Sequence, residues 1–322
     1  MVMSSSGPPR RAYGRSLLCA FGLALWLPSC GAQDDDDTGN TADDDTTSPL
    51  PPCTTWGEAI GYSTVEDGAL DEISGIAASG TDPDLLWVHV DSDGPALLVG
   101  LGLDGRTRAR ITLSGVSNQD WEDIAVGPCG DAFCIFVGEF GDNSASRTNA
   151  AILRLAEPKV GEALLETSLT PDVFPFVYDG GPRDAESLVV GPDGLPVVID
   201  KRLGEPATLH RMTALDSTTT ATLEVMGSFG TGANGNTSFG ALPTAADLHP
   251  SGDRLLLRTY TWMWEYDLGG EGLAGASDTA RVEVSHGPEF QGEANAYARD
   301  GRSIWHVSEG SNPLLYRVPC LE

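Results

Sequence analysis

Trp121-Glu122-Asp123-Ile124-Ala125 is one of five similar stretches that begin a repeated unit in this chain of 322 residues. In each unit a small or acidic residue leads into an apolar strand, a turn rich in Gly, Asp or Pro follows, and a second apolar strand ends in polar residues. Third and fourth strand patterns follow, and no amphipathic helix pattern competes with them. When the units are aligned on their apolar residues, one column contains Ser74, Glu122, Glu186, Ala246 and Glu293.

The spacing of this column predicts the architecture. A repeat of roughly 40–50 residues with four strands is typical of a β-propeller. Successive column residues lie 47 to 64 positions apart, and the residues before the first and after the last add one further blade length. We therefore predict an all-β fold, a five-bladed β-propeller with four-stranded blades. The two longest steps have room for further strands, so a six-bladed propeller is the alternative. Residues 58–64 are predicted to supply the strand that closes the last blade, which removes a free sheet edge.

The first 52 residues predict export and anchoring. Residues 1–29 have three arginines followed by eleven apolar residues, too few for a bilayer span, so they indicate a signal peptide. Leu27-Pro28-Ser29-Cys30 resembles the lipobox of bacterial lipoproteins, which implies lipidation of Cys30. Residues 30–52 are rich in Asp, Thr and Gly and are predicted to form a disordered acidic tether. The propeller domain would occupy residues 53–322, so the chain is expected in the bacterial cell envelope, at the periplasmic face or the outer surface, attached to the membrane only through its lipid.

Charge and cysteine content agree with this placement. The formal net charge of −28 disfavours nucleic acid as a partner. Four cysteines lie in the predicted propeller, and export favours disulfides between them. Cys129 and Cys134 flank a short turn, whereas Cys53 and Cys320 stand at the two ends of the domain, so these two pairs are predicted. We expect a monomer.

Propeller geometry brings two sets of polar residues to one face. The first set surrounds the column, and the second follows the second strand of each unit, because the loops after second strands open on the face where first strands begin. We predict that this face binds a small molecule or an envelope partner through Glu72, Asp91, Asp93, Glu139, Asp142, Asn143, Asp184, Lys201, Arg202, Asp247, Arg258 and Glu309.

The carboxylates of this face predict a cation. Several carboxylates in a narrow channel repel one another unless they are protonated or bridged, and oxygen ligands in irregular geometry suit Ca²⁺. The predicted metal ligands are Ser74, Glu122, Glu186 and Glu293. The five histidines show no ligand spacing. In the structural alternative, the glutamates cap backbone amides and the arginines pair with neighbouring acids.

The column also resembles a known family, the calcium-dependent apyrases. That family has a five-bladed propeller with a central Ca²⁺ and hydrolyses nucleoside di- and triphosphates. Ser74, Glu122, Glu186 and Glu293 match its metal positions, while Ala246 stands where a serine is expected. The segments 120–125 and 138–143 resemble secreted bacterial propellers that are akin to phytase-like and esterase-like propellers.

Two functions are compatible with these observations. The first is a lipoprotein whose acidic face holds Ca²⁺ and binds a ligand or partner. The second is a Ca²⁺-dependent hydrolase of phosphoesters or esters, nucleotidase-like or phytase-like, with catalytic residues still to be identified. Glycoside hydrolysis by paired glutamates ranks third, because few exposed aromatic residues could stack on sugars.

Overall fold

A computed structural model describes residues 53–322 of the chain, except for residues 93, 233–237, 278–279 and 290. The predicted signal peptide, Cys30, the tether and Asp93 therefore lie outside the described residues. Within the described part, no helix has the length and apolar character needed to cross a membrane.

The described residues form strands joined by turns, with two short 3-10 helices at Phe239–Ala241 and Gly272–Gly275. The strands are β1 (Ile60–Thr64), β2 (Ile73–Ala78), β3 (Leu85–Val90), β4 (Leu97–Gly102), β5 (Thr107–Leu113), β6 (Trp121–Cys129), β7 (Ala132–Glu139), β8 (Ala151–Ala156), β9 (Leu165–Leu169), β10 (Asp172–Tyr178), β11 (Ala185–Val190), β12 (Pro196–Asp200), β13 (Ala207–Arg211), β14 (Ala221–Phe229), β15 (Pro243–Leu248), β16 (Arg254–Thr259), β17 (Met263–Asp267), β18 (Arg281–Glu283), β19 (Gly292–Tyr297), β20 (Ser303–Ser308) and β21 (Leu314–Pro319).

Antiparallel pairing collects these strands into groups of four. The groups are β2 to β5; β6, β7, β8 and β10; β11 to β14; β15 to β18; and β19 to β21 with β1. The first strand of each group contacts the first strands of its two neighbours, so that β2, β6, β11, β15 and β19 form a closed ring. This arrangement is an all-β propeller, as the sequence predicted.

Two parallel pairings join neighbouring groups at their outer strands. Strand β9, which the sequence pattern did not predict, runs parallel to β5, and the register pairs Ala109 with Leu165. Strand β14 runs parallel to β10 and joins the second and third groups into one eight-stranded sheet. The longest step of the repeat, from Glu122 to Glu186, therefore contains β9 as an extra edge strand.

The apolar core is divided among the interfaces between groups. One cluster packs Trp87 and Ile111 of the first group against Ile135 and Leu153 of the second. Four further clusters unite the second group with the third, the third with the fourth, the fourth with the fifth, and the fifth with the first. Each group therefore buries both of its faces only when the ring is complete.

The two chain ends of the domain meet at the fifth group. Strand β1 pairs with β21, with Ile60 opposite Arg317. A disulfide joins Cys53 to Cys320, whose Cα atoms lie 5.8 Å apart. A second disulfide joins Cys129 to Cys134 across the turn between β6 and β7. Both predicted disulfides are confirmed.

We predict that the two disulfides contribute unequally to the free energy of unfolding. Replacing both Cys53 and Cys320 by Ser opens a loop of sequence separation 267 and should lower the free energy of unfolding by about 5 kcal/mol on the loop-entropy model. The matched pair of substitutions at Cys129 and Cys134, with separation 5, should cost only about 2 kcal/mol. Denaturant unfolding under oxidising conditions measures both values, and equal losses would contradict closure of the ring by the chain ends.

Candidate functional site

A β-bulge interrupts the start of the first strand in every group. In each case one residue more lies on the first strand than on its partner, which turns a side chain out of the normal alternation. The extra residues are Ser74, Glu122 (with Asp123 opposite the same partner position), Glu186, Thr244 and Glu293. The bulges therefore aim one equivalent side chain from each group at the same end of the channel.

The bulges correct one member of the sequence-derived column. Thr244, and not Ala246, occupies the equivalent position in the fourth group. Ala246 lies two residues later and packs in the apolar core between the third and fourth groups. The alignment on apolar residues slipped because Pro243 and Thr244 do not resemble the apolar or acidic starts of the other units.

The two hydroxyl residues of the corrected column link neighbouring first strands. The Ser74 hydroxyl donates a hydrogen bond of 2.7 Å to the carbonyl oxygen of Glu122. In the same way, the Thr244 hydroxyl donates one of 2.7 Å to the carbonyl oxygen of Gly292. Both hydroxyl protons are therefore engaged in holding the strands together.

Three carboxylates converge where β2 and β6 begin. Oxygen atoms of Asp91, Asp120 and Glu122 all lie within 4.8 Å of one another, a spacing that a metal ion could bridge. Asp91 follows β3, Asp120 precedes β6, and Glu122 is the bulge residue. Glu122 was predicted as a metal ligand and Asp91 as a ligand-binding residue, and the structure brings them together with Asp120. The other predicted metal ligands, Ser74, Glu186 and Glu293, are not members of this group.

Burial and mutual repulsion make these carboxylates hard to ionise together. Burial, followed by the charge of Asp91, raises the pKa of Asp120 to about 6. Burial, followed by the charges of Asp91 and Asp120, raises the pKa of Glu122 well above its usual value. A cation among the three would favour their ionised forms.

Lys201 provides a fixed positive charge beside this group. Its ammonium pairs with the carboxylate of Glu186, donates to the Tyr260 hydroxyl at 3.1 Å and lies 3.8 Å from Asp184. Burial raises the pKa of Asp184, and Lys201 opposes that shift. Glu186, predicted as a metal ligand, therefore has an ammonium partner in the structure.

Glu293 is the bulge residue of the fifth group, and Glu309 follows the second strand of that group. The Gln291 amide donates a hydrogen bond of 2.5 Å to Glu293. Burial raises the pKa of Glu293 to about 8, and the charge of Glu309 adds to that shift. Burial also raises the pKa of Glu309, with contributions from Asp91 and the exposed Glu72. We call the carboxylates at this end of the channel the acidic mouth: Asp91, Asp120, Glu122, Asp184, Glu186, Glu293 and Glu309.

An aromatic pair borders the acidic mouth. Tyr260, which contacts Lys201, stacks on Phe239 with ring centroids 4.7 Å apart. Phe239 is 63% exposed, so its second face is open to a ligand. The sequence analysis did not identify this pair, because Phe239 lies in a short 3-10 helix outside the repeated strands.

Two other predicted residues, Glu139 and Asp142, stabilise the loop after β7. The Asp142 carboxylate accepts backbone N–H groups of Ser146 at 2.9 Å and Arg147 at 2.6 Å. The Arg147 side chain pairs with Glu139. Asn143 is exposed and lines a polar pocket that Asp120 also lines.

Arg258 and Arg202 also have protein partners. The fully buried guanidinium of Arg258 pairs with Glu289, whose carboxylate lies 2.8 Å from Nδ1 of His306. Arg258 lies so close to Gly292 that a Cβ there would overlap it. Glu289 was not predicted, because it lies in a loop outside the repeat. Arg202 forms an ion pair with Glu205 near the surface.

Two buried aspartates hold first strands together instead of facing a ligand. Asp123 accepts the backbone N–H groups of Leu188 at 2.8 Å and Ala246 at 3.1 Å, and so links β6 to β11 and β15. Asp247, predicted to bind a ligand on the acidic face, lies towards the other end of β15. It accepts the N–H of Tyr297 at 2.7 Å, and burial raises its pKa to about 7.

Comparisons with known proteins assign no family to this chain. No protein-family model matches the chain, and no curated protein does. Two similar solved structures are the PQQ-bound aldose sugar dehydrogenase from Streptomyces coelicolor and the β-propeller domain of Cps50 (Swd1) from Myceliophteria thermophila. The first is 14% identical over 84% of this chain and 99% of that chain, with a TM-score of 0.48. The second is 10% identical over 78% and 84%, with a TM-score of 0.38. At this similarity neither structure carries an argument about function.

The contacts of Lys201 predict its contribution to stability. The Lys201→Met variant keeps the apolar stem but leaves the buried Glu186 carboxylate without its ammonium, which should lower the free energy of unfolding by about 3 kcal/mol. The chain's only other lysine, Lys159, is exposed, so Lys159→Met is a matched control with little expected effect. Denaturant unfolding at pH 7 measures the difference, and equal stabilities for the two variants would contradict the proposed neutralisation.

Proposed function

We propose that this protein is a cell-envelope lipoprotein whose propeller binds Ca²⁺ at the acidic mouth and uses the bound ion to hold an oxygen-rich small molecule or envelope partner. The observation that carries the proposal is the convergence of Asp91, Asp120 and Glu122 within 4.8 Å.

The propeller is inferred to have five blades. Each four-stranded group contributes one first strand to the central ring, and each apolar cluster is shared by two successive groups. The pairing of β1 with β21 would make the last blade from both chain ends. On this interpretation β9 is an addition to the edge of the first blade and not part of a sixth.

The electrostatics of the acidic mouth favour a bound cation at the three-carboxylate group. Lys201 neutralises Glu186 and lies near Asp184, whereas no ion pair joins a basic side chain to Asp120 or Glu122 within the described residues. The charges of Asp120 and Glu122 are therefore available to a mobile cation. All three donors are carboxylate oxygens, which suit a hard ion that accepts irregular coordination, and Ca²⁺ has both properties.

The ligand would complete the coordination of the ion. Three protein carboxylates leave open several of the six to eight positions that Ca²⁺ accepts. The exposed face of Phe239 and the polar pocket lined by Asn143 and Asp120 flank the group on the ligand side. Such surroundings suit a polar molecule that brings its own oxygen atoms.

The proposed lipid anchor is inferred from the sequence alone. Cys30 follows an apolar segment in a lipobox-like context, and the acidic residues after it would hold the propeller away from the membrane. Attachment through two acyl chains would be stable where one would not. Labelling with radioactive palmitate that persists in Cys30→Ala cells would overturn this part.

Calcium titration of the purified, chelator-treated protein tests the site. Ca²⁺ should bind with measurable heat and raise the melting temperature, because an ion that binds only the folded state stabilises it. The variants Asp120→Asn and Glu122→Gln should each weaken binding by about tenfold or more. Glu72→Gln, which removes an equal charge from an exposed position near the mouth, is the control.

Two outcomes would contradict the calcium proposal. One is the absence of both heat and a melting shift in the unsubstituted protein. The other is an equal loss of affinity in Glu72→Gln and Glu122→Gln, because that result would indicate general attraction of cations to an acidic surface and no defined site.

A Ca²⁺-dependent hydrolase of phosphoesters or esters is the second candidate function. The observation that favours it is the contact between Lys201 and the Tyr260 hydroxyl at 3.1 Å, which places a cation and a proton donor beside the proposed metal. Burial and the surrounding carboxylates raise the pKa of Tyr260, so this hydroxyl stays protonated at neutral pH.

Activity assays decide between the two functions. Nucleotides, phytate and p-nitrophenyl esters are offered to the protein with Ca²⁺ and with a chelator. A hydrolase should turn over one of these classes only with Ca²⁺, and Tyr260→Phe should reduce the rate while the exposed Tyr62→Phe does not. Calcium binding without turnover of any substrate would support the binding function.

A further inference from the structure

A second cavity opens at the other end of the channel, where the first strands end. Its volume is 320 Å³, and residues from all five strand groups contribute to its wall. The wall combines apolar side chains, among them Ala78, Val190 and Leu248, with the polar side chains of Asp247, His249 and the exposed Arg299. A cavity of this size and lining is typical of small-molecule sites.

Three of the turns that surround this cavity are copies of one four-residue turn. They are Gly191-Pro192-Asp193-Gly194, His249-Pro250-Ser251-Gly252 and Ala298-Arg299-Asp300-Gly301. In each turn the N–H of the last glycine donates to the carbonyl oxygen of the first residue, and that glycine has a positive φ, between 66° and 78°. The second position is proline in two turns and arginine in the third. Since the turn itself requires no cation there, Arg299 is a departure from the repeat that chain reversal does not explain.

Arg299 is held at the rim by an aromatic ring. Its guanidinium carbon lies 4.4 Å from the centroid of Phe133. The ring is fixed on its other side by Gly80, where a Cβ would overlap it. Within the described residues Arg299 forms no ion pair and no hydrogen bond to protein, although it belongs to a chain of net charge −28. The neighbouring Asp300 instead accepts the backbone N–H of Arg302 at 2.8 Å.

The cavity is separate from the acidic mouth. The Asp123 carboxylate joins β6, β11 and β15 between the two ends of these strands. At the cavity itself, the Asp247 carboxylate accepts the N–H groups of Leu248 at 2.8 Å and Tyr297 at 2.7 Å. The acid in the cavity wall is therefore engaged by the backbone, and the guanidinium of Arg299 is the charge that remains to a ligand.

We propose that this cavity is a second binding site, for a small molecule that has an apolar ring or chain and one anionic group. The apolar part would pack against Val190 and Leu248, and the anionic group would accept hydrogen bonds from Arg299. A guanidinium binds a carboxylate or phosphate through two parallel N–H donors, which gives both attraction and orientation. The net negative charge of the protein opposes the binding of any anion, so the apolar contacts must contribute to the affinity.

Calorimetric titration of the full chain with two matched ligands tests this site. 2-Naphthoate has an apolar ring and a carboxylate, and 2-naphthylmethanol has the same ring with a neutral hydroxymethyl group. The carboxylate should bind about tenfold more tightly or better, because hydrogen bonds to a charged group are the stronger ones. The variant Arg299→Gln should remove this difference and leave binding of the alcohol unchanged.

Three further variants locate the binding. Arg154→Gln is a matched control, because Arg154 also stacks on a phenylalanine, Phe174, but is paired with Asp172 and lies outside the cavity. It should bind 2-naphthoate normally. Ala78→Leu should fill the cavity and abolish binding of both ligands. Glu122→Gln, like a chelator, should have no effect, which separates this site from the calcium site.

Any of four results would overturn the proposal. They are equal affinities for the two ligands, unchanged discrimination in Arg299→Gln, no binding of either ligand at millimolar concentration, and loss of binding in the presence of a chelator.

Discussion

Closure of the ring is the constraint on which the rest of this structure depends. No strand group has a core of its own, because each apolar cluster is made by two successive groups. The chain must therefore bring its last group back to its first, and the β1–β21 pairing with the Cys53–Cys320 bond makes this connection from both ends. Once the ring is closed, the first strands are fixed around one axis and their side chains are forced into a common channel.

Crowding of carboxylates follows from that geometry, and the protein relieves it by two different means. Asp123 and Asp247 accept backbone N–H groups of neighbouring first strands, and so link the strands. Glu186 has the Lys201 ammonium, and Glu289 has the Arg258 guanidinium. Within the described residues neither Asp120 nor Glu122 forms an ion pair with a basic side chain, and that difference distinguishes their group as the candidate cation site.

The strands and the disulfides could be predicted from the sequence because they depend on periodicity and on position along the chain. The site could be predicted only in part. Thr244 was missed because a bulge shifts a residue without changing the apolar pattern that an alignment uses. Lys201 follows the second strand of its group and joins the mouth, whereas Arg258 lies within a second strand and is buried against Gly292. The space for the Arg258 guanidinium depends on the absence of a side chain at Gly292, which lies on another strand.

Departures from the repeat indicate function at both ends of the channel, but only when equivalent positions are identified in three dimensions. At the mouth, Ala246 looked exceptional in sequence, and the true equivalent Thr244 proves to do the same work as Ser74. At the other end, the shared hydrogen bonds and positive-φ glycines of three turns show that Arg299 stands where the other two turns have proline. Because a repeat supplies the scaffold at every copy, a residue that only one copy has and that no neighbouring group requires is better explained by a ligand than by the fold.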